Sequence, residues 1–368
     1  MPIKKRVFVS DIHMSPGLSL KNPQSCYDWF SEEQATQFDV FLKTLIGDKT
    51  IEEVILLGDL MDGWVYPIEV QPPKYDKIAG AGHIRDIMTD LQELAKVKRV
   101  TYVIGNHDMT LGELQFENFR QSIFPGISFH NSYETDDGLY AEHGHQYTMY
   151  NAVDPKHELP LGHYISRLAA TVAERKQHFY INADFDKNFP AAGTYQFDAK
   201  GFIKDPLVNA PLSFLEEELG NVDDNTPITT VNGGVITLSE VRQQYAKLGI
   251  DWIEKHGLLS GFRSVWREAV GLDGVADQIA SGKVFKGKNY KIVIFGHTHN
   301  KENRRLSLQS PAVASGSEET PYAIYANCGA WCQDKKPTYV IDEYDDGTGK
   351  HKVTLKFWGE DQEIVNTI

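Results

Sequence analysis

Five short clusters of Asp, Asn and His side chains each follow an apolar stretch that predicts a β-strand. In open α/β sheets, ligands bind at the carboxyl ends of the strands, so side chains at these ends come together. Carboxylate, amide and imidazole ligands in combination are typical of borderline divalent metals such as Mn, Fe or Zn. We therefore predict a metal site built from Asp11-Ile12-His13, Gly58-Asp59-Leu60-Met61-Asp62, Gly105-Asn106-His107-Asp108, His143-Gly144-His145 and Gly296-His297-Thr298-His299.

Each cluster, taken alone, has a simpler structural interpretation. Asp11 could cap a helix, and Asn106 and Asp108 are common turn residues. His297 and His299 are a stronger signal, because side chains two positions apart on extended backbone point to the same side. Chance explains the whole set poorly, because all five clusters occur in order at the same end of a predicted strand.

Apolar periodicity predicts the elements that would position these clusters. The first 145 residues alternate between strands at 6–10, 53–57, 99–104 and 139–142 and amphipathic helices at 31–46 and 84–97. This order favours right-handed crossovers and a sheet that is covered on both faces. Further strands are predicted at 290–295, 322–326, 337–341 and 353–357, and the last three suggest an antiparallel ending with a turn at 345–349.

Residues 146–289 contain no convincing buried strand and interrupt the predicted sheet. Helices are predicted there near 161–178, 212–219, 238–255 and 262–280. We predict a core of residues 1–145 and 290–368, with residues 146–289 forming a mostly helical cap over the metal site. Its aromatic residues could stack on a base or aryl group, although packing between helices explains most of them better; they include Tyr147, Tyr150, His163, Tyr164 and Phe179. Arg167 could pair with a phosphate, but a surface position or an ion pair is the simpler interpretation.

Composition and charge limit the class of protein. The 368 residues are 41% hydrophobic and 24% charged, which is typical of a globular protein. A net charge of −14 argues against nucleic acid as a general partner, because such binding needs clustered Lys and Arg. Apolar runs are too short for a signal-peptide core or a membrane span. Three cysteines without a C-x-x-C pattern argue against a disulfide framework, so a cytoplasmic location is expected.

The ordered set of clusters resembles the calcineurin-like metallophosphoesterase superfamily. That pattern is D-x-H, G-D-x-x-D, G-N-H-[DE], a lone His and G-H-x-H, and the resemblance covers residues 6–145 and 290–342. It implies an α/β protein with a four-layer α/β/β/α sandwich and a helical cap. It also implies two divalent metal ions, with Mn as the first expectation and Fe or Zn as alternatives.

The resemblance also implies the ligands of each ion. The first ion would be bound by Asp11, His13, Asp59 and His299, and the second by Asp59, Asn106, His143 and His297. Asp59 would bridge the two, since one carboxylate can offer an oxygen to each ion. His145 could also align with the lone His of the family, but His143 fits better because it directly follows the strand.

Two further residues would serve the reaction. His107 occupies the position of the family's proton donor to the leaving oxygen. Asp62 either orients that histidine or is a plain turn carboxylate, and the sequence leaves both interpretations open. Two ions about 3.5–4 Å apart can hold a bridging hydroxide, which would attack the phosphorus while His107 protonates the departing oxygen.

The expected function is metal-dependent hydrolysis of a phosphodiester or a small phosphate ester. The alternatives are a pyrophosphohydrolase acting on a nucleotide-linked metabolite and an inactive metal-binding scaffold, although a scaffold would not need His107. Gly63-Trp64 replaces the Arg-Gly of protein phosphatases after the second motif, which argues against that activity. UDP-diacylglucosamine pyrophosphohydrolases typically have Arg at the position of His107 and Asp at that of His145. These two differences argue against a lipid pyrophosphate as the substrate. The sequence gives no indication of the oligomeric state.

Overall fold

The computed structural model describes residues 3–16, 29–153, 156–176, 196–197, 203–204, 206–256, 272–308, 322–332 and 336–368. The first part of the chain alternates between strands and helices, as the periodicity predicts. Its elements are β1 (Ile3–Val9), α1 (Glu32–Gly47), β2 (Ile51–Leu57), α2 (Tyr75–Ala79), α3 (Gly82–Val97), β3 (Arg99–Val103), α4 (Glu117–Ile123), β4 (Ile127–His130), β5 (Tyr133–Glu134) and β6 (Leu139–Ala141).

The predicted insertion is mostly helical in its described residues, with two small hairpins that the periodicity does not predict. The elements are α5 (Leu161–Lys176), β7 (Gln196–Phe197), β8 (Ile203–Lys204), α6 (Pro206–Leu219), β9 (Pro227–Thr229), β10 (Val235–Thr237), α7 (Leu238–Gln244), α8 (Leu248–His256) and α9 (Asp273–Ala280). The single helix predicted at 238–255 is thus two helices. Phe179 and the first part of the helix predicted at 262–280 lie outside the described residues.

The last part of the chain is entirely β-structure in its described residues. It consists of β11 (Ile292–Phe295), β12 (Lys301–Ser307), β13 (Tyr322–Cys328), β14 (Thr338–Asp345), β15 (Lys350–Phe357) and β16 (Glu363–Thr367). Strands β4, β5, β12 and β16 were not predicted.

The chain forms two large sheets, which agrees with the α/β/β/α fold implied by the resemblance, whereas strand periodicity alone had suggested one interrupted sheet. The seven-stranded sheet has the order β16-β15-β14-β1-β2-β3-β4, and the five-stranded sheet has the order β12-β13-β11-β6-β5. The prediction that β13 joins β14 and β15 in one antiparallel ending is wrong, because β13 pairs with β11 and β12 in the smaller sheet. The β14–β15 hairpin itself is confirmed, with Asp345 paired to Lys350 at its turn.

Three apolar cores define the layers. Phe8, Ile55 and Val103 of the larger sheet belong to one buried cluster with Ile294 and Ile324 of the smaller sheet. On the outer face of the larger sheet, strand residues pack against α1 and α3, and on the outer face of the smaller sheet they pack against α9. The layer order is therefore helix, sheet, sheet, helix. Because both faces of β1 are buried, its residues 7–9 are apolar without alternation.

Local sequence explains the beginning of α1. The Ser31 hydroxyl accepts a hydrogen bond from the Gln34 backbone N–H, and the Gln34 side chain accepts one from the Ser31 N–H at 2.7 Å. This reciprocal capping box satisfies two backbone donors that would otherwise lack partners at the helix start. In the part of the chain that the structure describes, no helix combines the length and apolar character needed to cross a membrane.

Candidate metal centre

The predicted clusters meet where the carboxyl ends of the strands of both sheets come together. Residues after β1, β2 and β3 approach from the larger sheet, and residues after β6 and β11 approach from the smaller one. The candidate ligands are buried except for His299, whose side chain is 13% exposed. All seven predicted ligands are brought together, namely Asp11, His13, Asp59, Asn106, His143, His297 and His299.

A first group of acceptor atoms surrounds Asp11. Asp11 Oδ1 is buried and accepts no hydrogen bond, and it lies 3.3 Å from His299 Nε2 and 3.8 Å from His13 Nε2. The two histidine Nε2 atoms are 3.2 Å apart. Because the other nitrogen of His13 donates to Asp62 at 2.9 Å, Nε2 carries a lone pair in the neutral ring. With neutral rings, Asp11 Oδ1 and the two Nε2 atoms could direct lone pairs at one cation placed between them.

A second group surrounds His143. Its Nδ1 donates to the Leu57 carbonyl at 2.9 Å, so Nε2 carries the lone pair in the neutral ring. That lone pair faces Asn106 Oδ1 and Asp59 Oδ2, each at 3.1 Å. His297 completes the group, since one of its ring nitrogens lies within 4.8 Å of ligand atoms of Asp59 and His143.

Thr148 fixes the orientation of His297. Its hydroxyl donates to the His145 carbonyl at 2.9 Å, so it accepts the hydrogen of His297 Nε2 at 3.0 Å. Nδ1 of His297 is thereby left with its lone pair for a metal. Histidine ligands in proteins commonly have their other nitrogen held in this way.

Asp59 lies between the two groups. Its Oδ2 is 3.1 Å from His143 Nε2 and 3.7 Å from His13 Nε2. Its Oδ1 accepts the backbone N–H of His107 at 2.8 Å. One oxygen of Asp59 therefore faces both groups, whereas the sequence suggested one oxygen for each ion.

Backbone strain is concentrated at this centre. Five residues other than glycine have a positive φ in the described part of the chain, and all five are candidate ligands, with values from 52° to 68°: Asp11, His13, Asp59, His297 and His299. Such conformations cost about 1–3 kcal/mol each and persist where the surrounding structure enforces them, often at functional sites.

Two of the glycines before the polar clusters allow the loops to approach each other. A Cβ atom at Gly105 would lie 2.1 Å from Asp59 Oδ1, and one at Gly296 would lie 2.0 Å from Ser10 Oγ. Any larger residue would displace Asp59 or the Ser10 hydroxyl that donates to Asp11 at 2.5 Å.

Neighbouring histidines favour ionisation of the carboxylates of the centre in spite of their burial. Burial opposes ionisation of Asp11, but His143 and His299 beside it hold its pKa well below the usual range. Burial also opposes ionisation of Asp59, and His143 and His107 lower its pKa. His13 is disfavoured as a cation by burial, yet its contacts with Asp11 and Asp62 raise its pKa to about 10. Against the cost of burial, the carboxylates also raise the pKa of His143 to about 9. His13 and His143 as cations would offset their negative charge, and divalent ions would take over this role by displacing the two protons.

Asp62 connects the predicted proton donor to the first group. Its Oδ2 accepts from Nδ1 of His107 at 3.1 Å and from Nδ1 of His13 at 2.9 Å. Its Oδ1 accepts the backbone N–H groups of Trp64 and Val65 at 2.7 and 3.0 Å. Asp62 thus contacts His107 and also holds the backbone of its own turn, which are the two roles that the sequence left open. Its contact with His13 was not predicted.

We expect Asp62→Asn to lower kcat/KM and the affinity for metal at the first group by about 10–100-fold, as for other residues that orient metal ligands. The new amide nitrogen would replace one of the two acceptor oxygens. Its hydrogens would then meet either the two histidine N–H groups or the two backbone N–H groups, and those hydrogen bonds would be lost. Metal titration and hydrolysis of bis-p-nitrophenyl phosphate would measure the effect. His107→Asn is the matched comparison, because it should leave metal affinity unchanged. Wild-type affinity in Asp62→Asn would contradict a role through His13.

His145 and Asp108 remain outside the two groups. Nε2 of His145 lies 3.0 Å from the Gln146 amide nitrogen, and burial lowers the pKa of His145 to about 3. Asp108 accepts the backbone N–H groups of Gly105 and Leu60, each at 2.8 Å. His143, and not His145, therefore lies with Asp59, and Asp108 supports the turn that carries His107.

Three residues beside the centre were not foreseen in this role. The ring of Trp64 stacks on His107 with centroids 4.5 Å apart, and the ring of Trp29 meets His13 edge-on at 4.7 Å. Cys332 Sγ lies 3.9 Å from His299 Nδ1. Trp64 lies two residues after Asp62, but the sequence did not indicate that its ring or the Cys332 sulfur would lie beside the centre.

Helix α5 of the insertion packs directly against the segment that follows Asp62. His163 meets Trp64 edge-on at 5.4 Å, and the Thr171 hydroxyl accepts the Ile68 N–H at 2.9 Å. Arg167 donates to the Val70 carbonyl at 2.5 Å. Arg167 is fully buried and forms no ion pair with a described residue, so the simpler interpretation from sequence is wrong. Burial lowers its pKa to about 9.

A family model described as calcineurin-like phosphoesterase matches residues 4–301. No curated protein matches the chain at a significant level. Solved structures that resemble it include zinc-bound Vps29 from Entamoeba histolytica, with 11% identity, a TM-score of 0.32, and coverage of 99% of this chain and 98% of that one. An archaeal phosphodiesterase has 12% identity, a TM-score of 0.33, and coverage of 98% and 99%. The nuclease MPE from Pseudomonas putida has 18% identity, a TM-score of 0.25, and coverage of 38% and 55%.

Proposed function

Because the chain belongs to the calcineurin-like phosphoesterase family, we propose that it hydrolyses a phosphodiester or a small phosphate ester at a centre of two divalent metal ions. The observation that carries this proposal is the position of Asp59 Oδ2, which faces His143 Nε2 at 3.1 Å and His13 Nε2 at 3.7 Å. A carboxylate oxygen that faces two groups of acceptor atoms can contact a cation in each group.

The donor set fits such ions. Each group combines carboxylate with imidazole, and the second adds the Asn106 amide oxygen, a mixture suited to Mn, Fe or Zn. The unpartnered Asp11 Oδ1 supports the same conclusion, because a buried carboxylate oxygen without any partner is costly. When bound, two divalent ions would activate water and offset negative charge on the phosphoryl oxygens.

His107 would protonate the leaving oxygen. Its Nδ1–H is held by Asp62 at 3.1 Å, and its ring is fixed by stacking on Trp64. His107 is 7% exposed, so the ring is largely sheltered while remaining next to the two groups. A histidine that a carboxylate orients in this way is suited to act as a general acid. This pair also argues against an inactive scaffold.

We further propose that residues 146–289 form a cap that influences substrate choice. Support comes from α5, which contacts Trp64 through His163 and holds the backbone of residues 68–70 through Thr171 and Arg167. The cap would thus fix the loop beside His107 without supplying a predicted metal ligand. Substrate rankings of variants altered in the cap, measured at constant metal content, would test this role.

Hydrolysis of bis-p-nitrophenyl phosphate by the full-length protein tests the proposed activity. We expect turnover with added Mn²⁺, loss of turnover after chelation, and recovery when divalent metal is restored. Elemental analysis should find two ions per chain in the restored protein. Full activity in chelated protein without transition metal would contradict the proposal. Two bound ions without turnover of any mono-, di- or pyrophosphate ester would instead favour a scaffold.

A further inference from the structure

Cys332 lies beside the first group of candidate ligands. The cysteine is fully buried, and its Sγ is 3.9 Å from His299 Nδ1. The sulfur, one ring nitrogen of His13 and one of His299 all lie within 4.8 Å of one another. These three residues could therefore hold one metal ion.

The loop that carries Cys332 is hydrogen-bonded to the backbone of Asp11. The backbone N–H of Trp331 donates to the Asp11 carbonyl at 2.9 Å, and the Trp331 indole N–H donates to the Thr338 carbonyl at 2.8 Å. Cys332 also belongs to a buried cluster with Trp29, whose ring contacts His13. These contacts hold the residue next to Cys332 against the backbone of Asp11.

A second observation points to a cation at this place. Asp11 Oδ1 is fully buried, has no hydrogen-bond partner, and faces His299 Nε2 at 3.3 Å. The Asp11 oxygen lies on the Nε2 side of His299 and the sulfur on the Nδ1 side, and the sulfur is within 4.8 Å of ring nitrogens of both His13 and His299. All of these atoms can donate an electron pair to a metal.

We propose that Cys332 is a sulfur ligand of the first metal ion, together with Asp11, His13, Asp59 and His299. On binding, the S–H bond breaks, a sulfur–metal bond forms, and one proton leaves to solvent. This inference rests on the metal centre proposed above, but it does not require that the centre hydrolyse any particular ester. Thiolate is a soft ligand, so the first position should favour Zn or Fe over Mn.

Cys328 provides a matched control. It precedes Cys332 by four residues and is equally buried, but it belongs to the apolar core between the two sheets. Burial raises the pKa of the Cys328 thiol well above its usual value, which disfavours thiolate there. A serine substitution at each position therefore makes the same chemical change inside and outside the proposed ligand set.

Cobalt substitution of the full-length protein tests the proposal. Metal-free protein is titrated with Co²⁺, and absorption in the near ultraviolet is followed for a sulfur-to-cobalt charge-transfer band. We expect the band in wild type and in Cys328→Ser, and its loss in Cys332→Ser. Zn²⁺ affinity should fall by about 10–100-fold in Cys332→Ser, with a smaller change for Mn²⁺.

A measurement on the wild type avoids dependence on how the variant folds. X-ray absorption of the zinc-loaded protein should show one sulfur neighbour at about 2.3 Å in addition to nitrogen and oxygen near 2.0–2.1 Å. Two bound metal ions without sulfur scattering or a charge-transfer band would overturn the role of Cys332 alone. A band that persists in folded Cys332→Ser would also overturn it. A protein that binds no metal would overturn the proposed centre itself.

Discussion

Asp59→Asn is expected to lower kcat/KM by at least about 10³-fold and to weaken binding of both metal ions, because two ions contribute several kcal/mol of transition-state stabilisation. Asp59 Oδ2 faces both His13 and His143. An amide nitrogen at this place would direct hydrogens toward both ions. The new side-chain oxygen could still accept the His107 backbone N–H, so the loop itself should keep its conformation.

Metal content and activity should be measured together for this variant. Elemental analysis of the purified protein gives the number of ions per chain, and bis-p-nitrophenyl phosphate gives kcat/KM. Asp136→Asn makes the same chemical change as a control, at an exposed carboxylate that is not a candidate ligand. If Asp59→Asn retained two ions and wild-type activity, Asp59 could not be the shared ligand.

His107→Asn is expected to slow hydrolysis of an alkyl or nucleoside ester by about 10²–10⁴-fold, while p-nitrophenyl esters lose far less. An alkoxide or ribose oxygen needs a proton as it departs, whereas p-nitrophenolate leaves well without one. His107 Nδ1 is held by Asp62 at 3.1 Å, which positions the ring to provide that proton. The comparison between leaving groups therefore separates proton donation from general damage to the site.

The number of bound ions distinguishes the remaining roles of His107. One group of potential ligand atoms combines His107 with His13 and Asp59, so direct metal binding is a structural alternative. Loss of one ion in His107→Asn would make His107 a ligand, and equal losses on both classes of ester with both ions retained would indicate phosphate positioning. The exposed His130 supplies a control, since His130→Asn should change neither property.

Local sequence was sufficient to place the candidate ligands at the ends of strands. Residues 7–9 form an apolar run and Asp11 follows it, just as His297 follows the apolar β11. A buried strand and the turn after it are both determined by neighbouring residues, so these features could be predicted. The order of the motifs then indicated the family, whose model covers residues 4–301.

Local periodicity did not indicate the division into two sheets, which only the resemblance to the family implied. Strand β12 has the sequence KENRRLS and β16 has EIVNT, so neither contains the apolar run of a buried strand. Strand β13 has such a run, but its sequence does not specify that β11 and β12 are its neighbours. Pairing depends on contacts between distant residues, which local periodicity does not encode.

The types of candidate ligand, their order and their positions after apolar strands could all be predicted from local sequence. Three contacts became visible only in the folded chain: Asp62 holds both His13 and His107, Asp59 Oδ2 faces both groups, and Cys332 lies beside His299. The physical reason is distance along the chain: His13 and His299 are 286 residues apart, yet their Nε2 atoms lie 3.2 Å from each other. Such contacts form only when the two sheets pack through their shared apolar core and bring their carboxyl ends together.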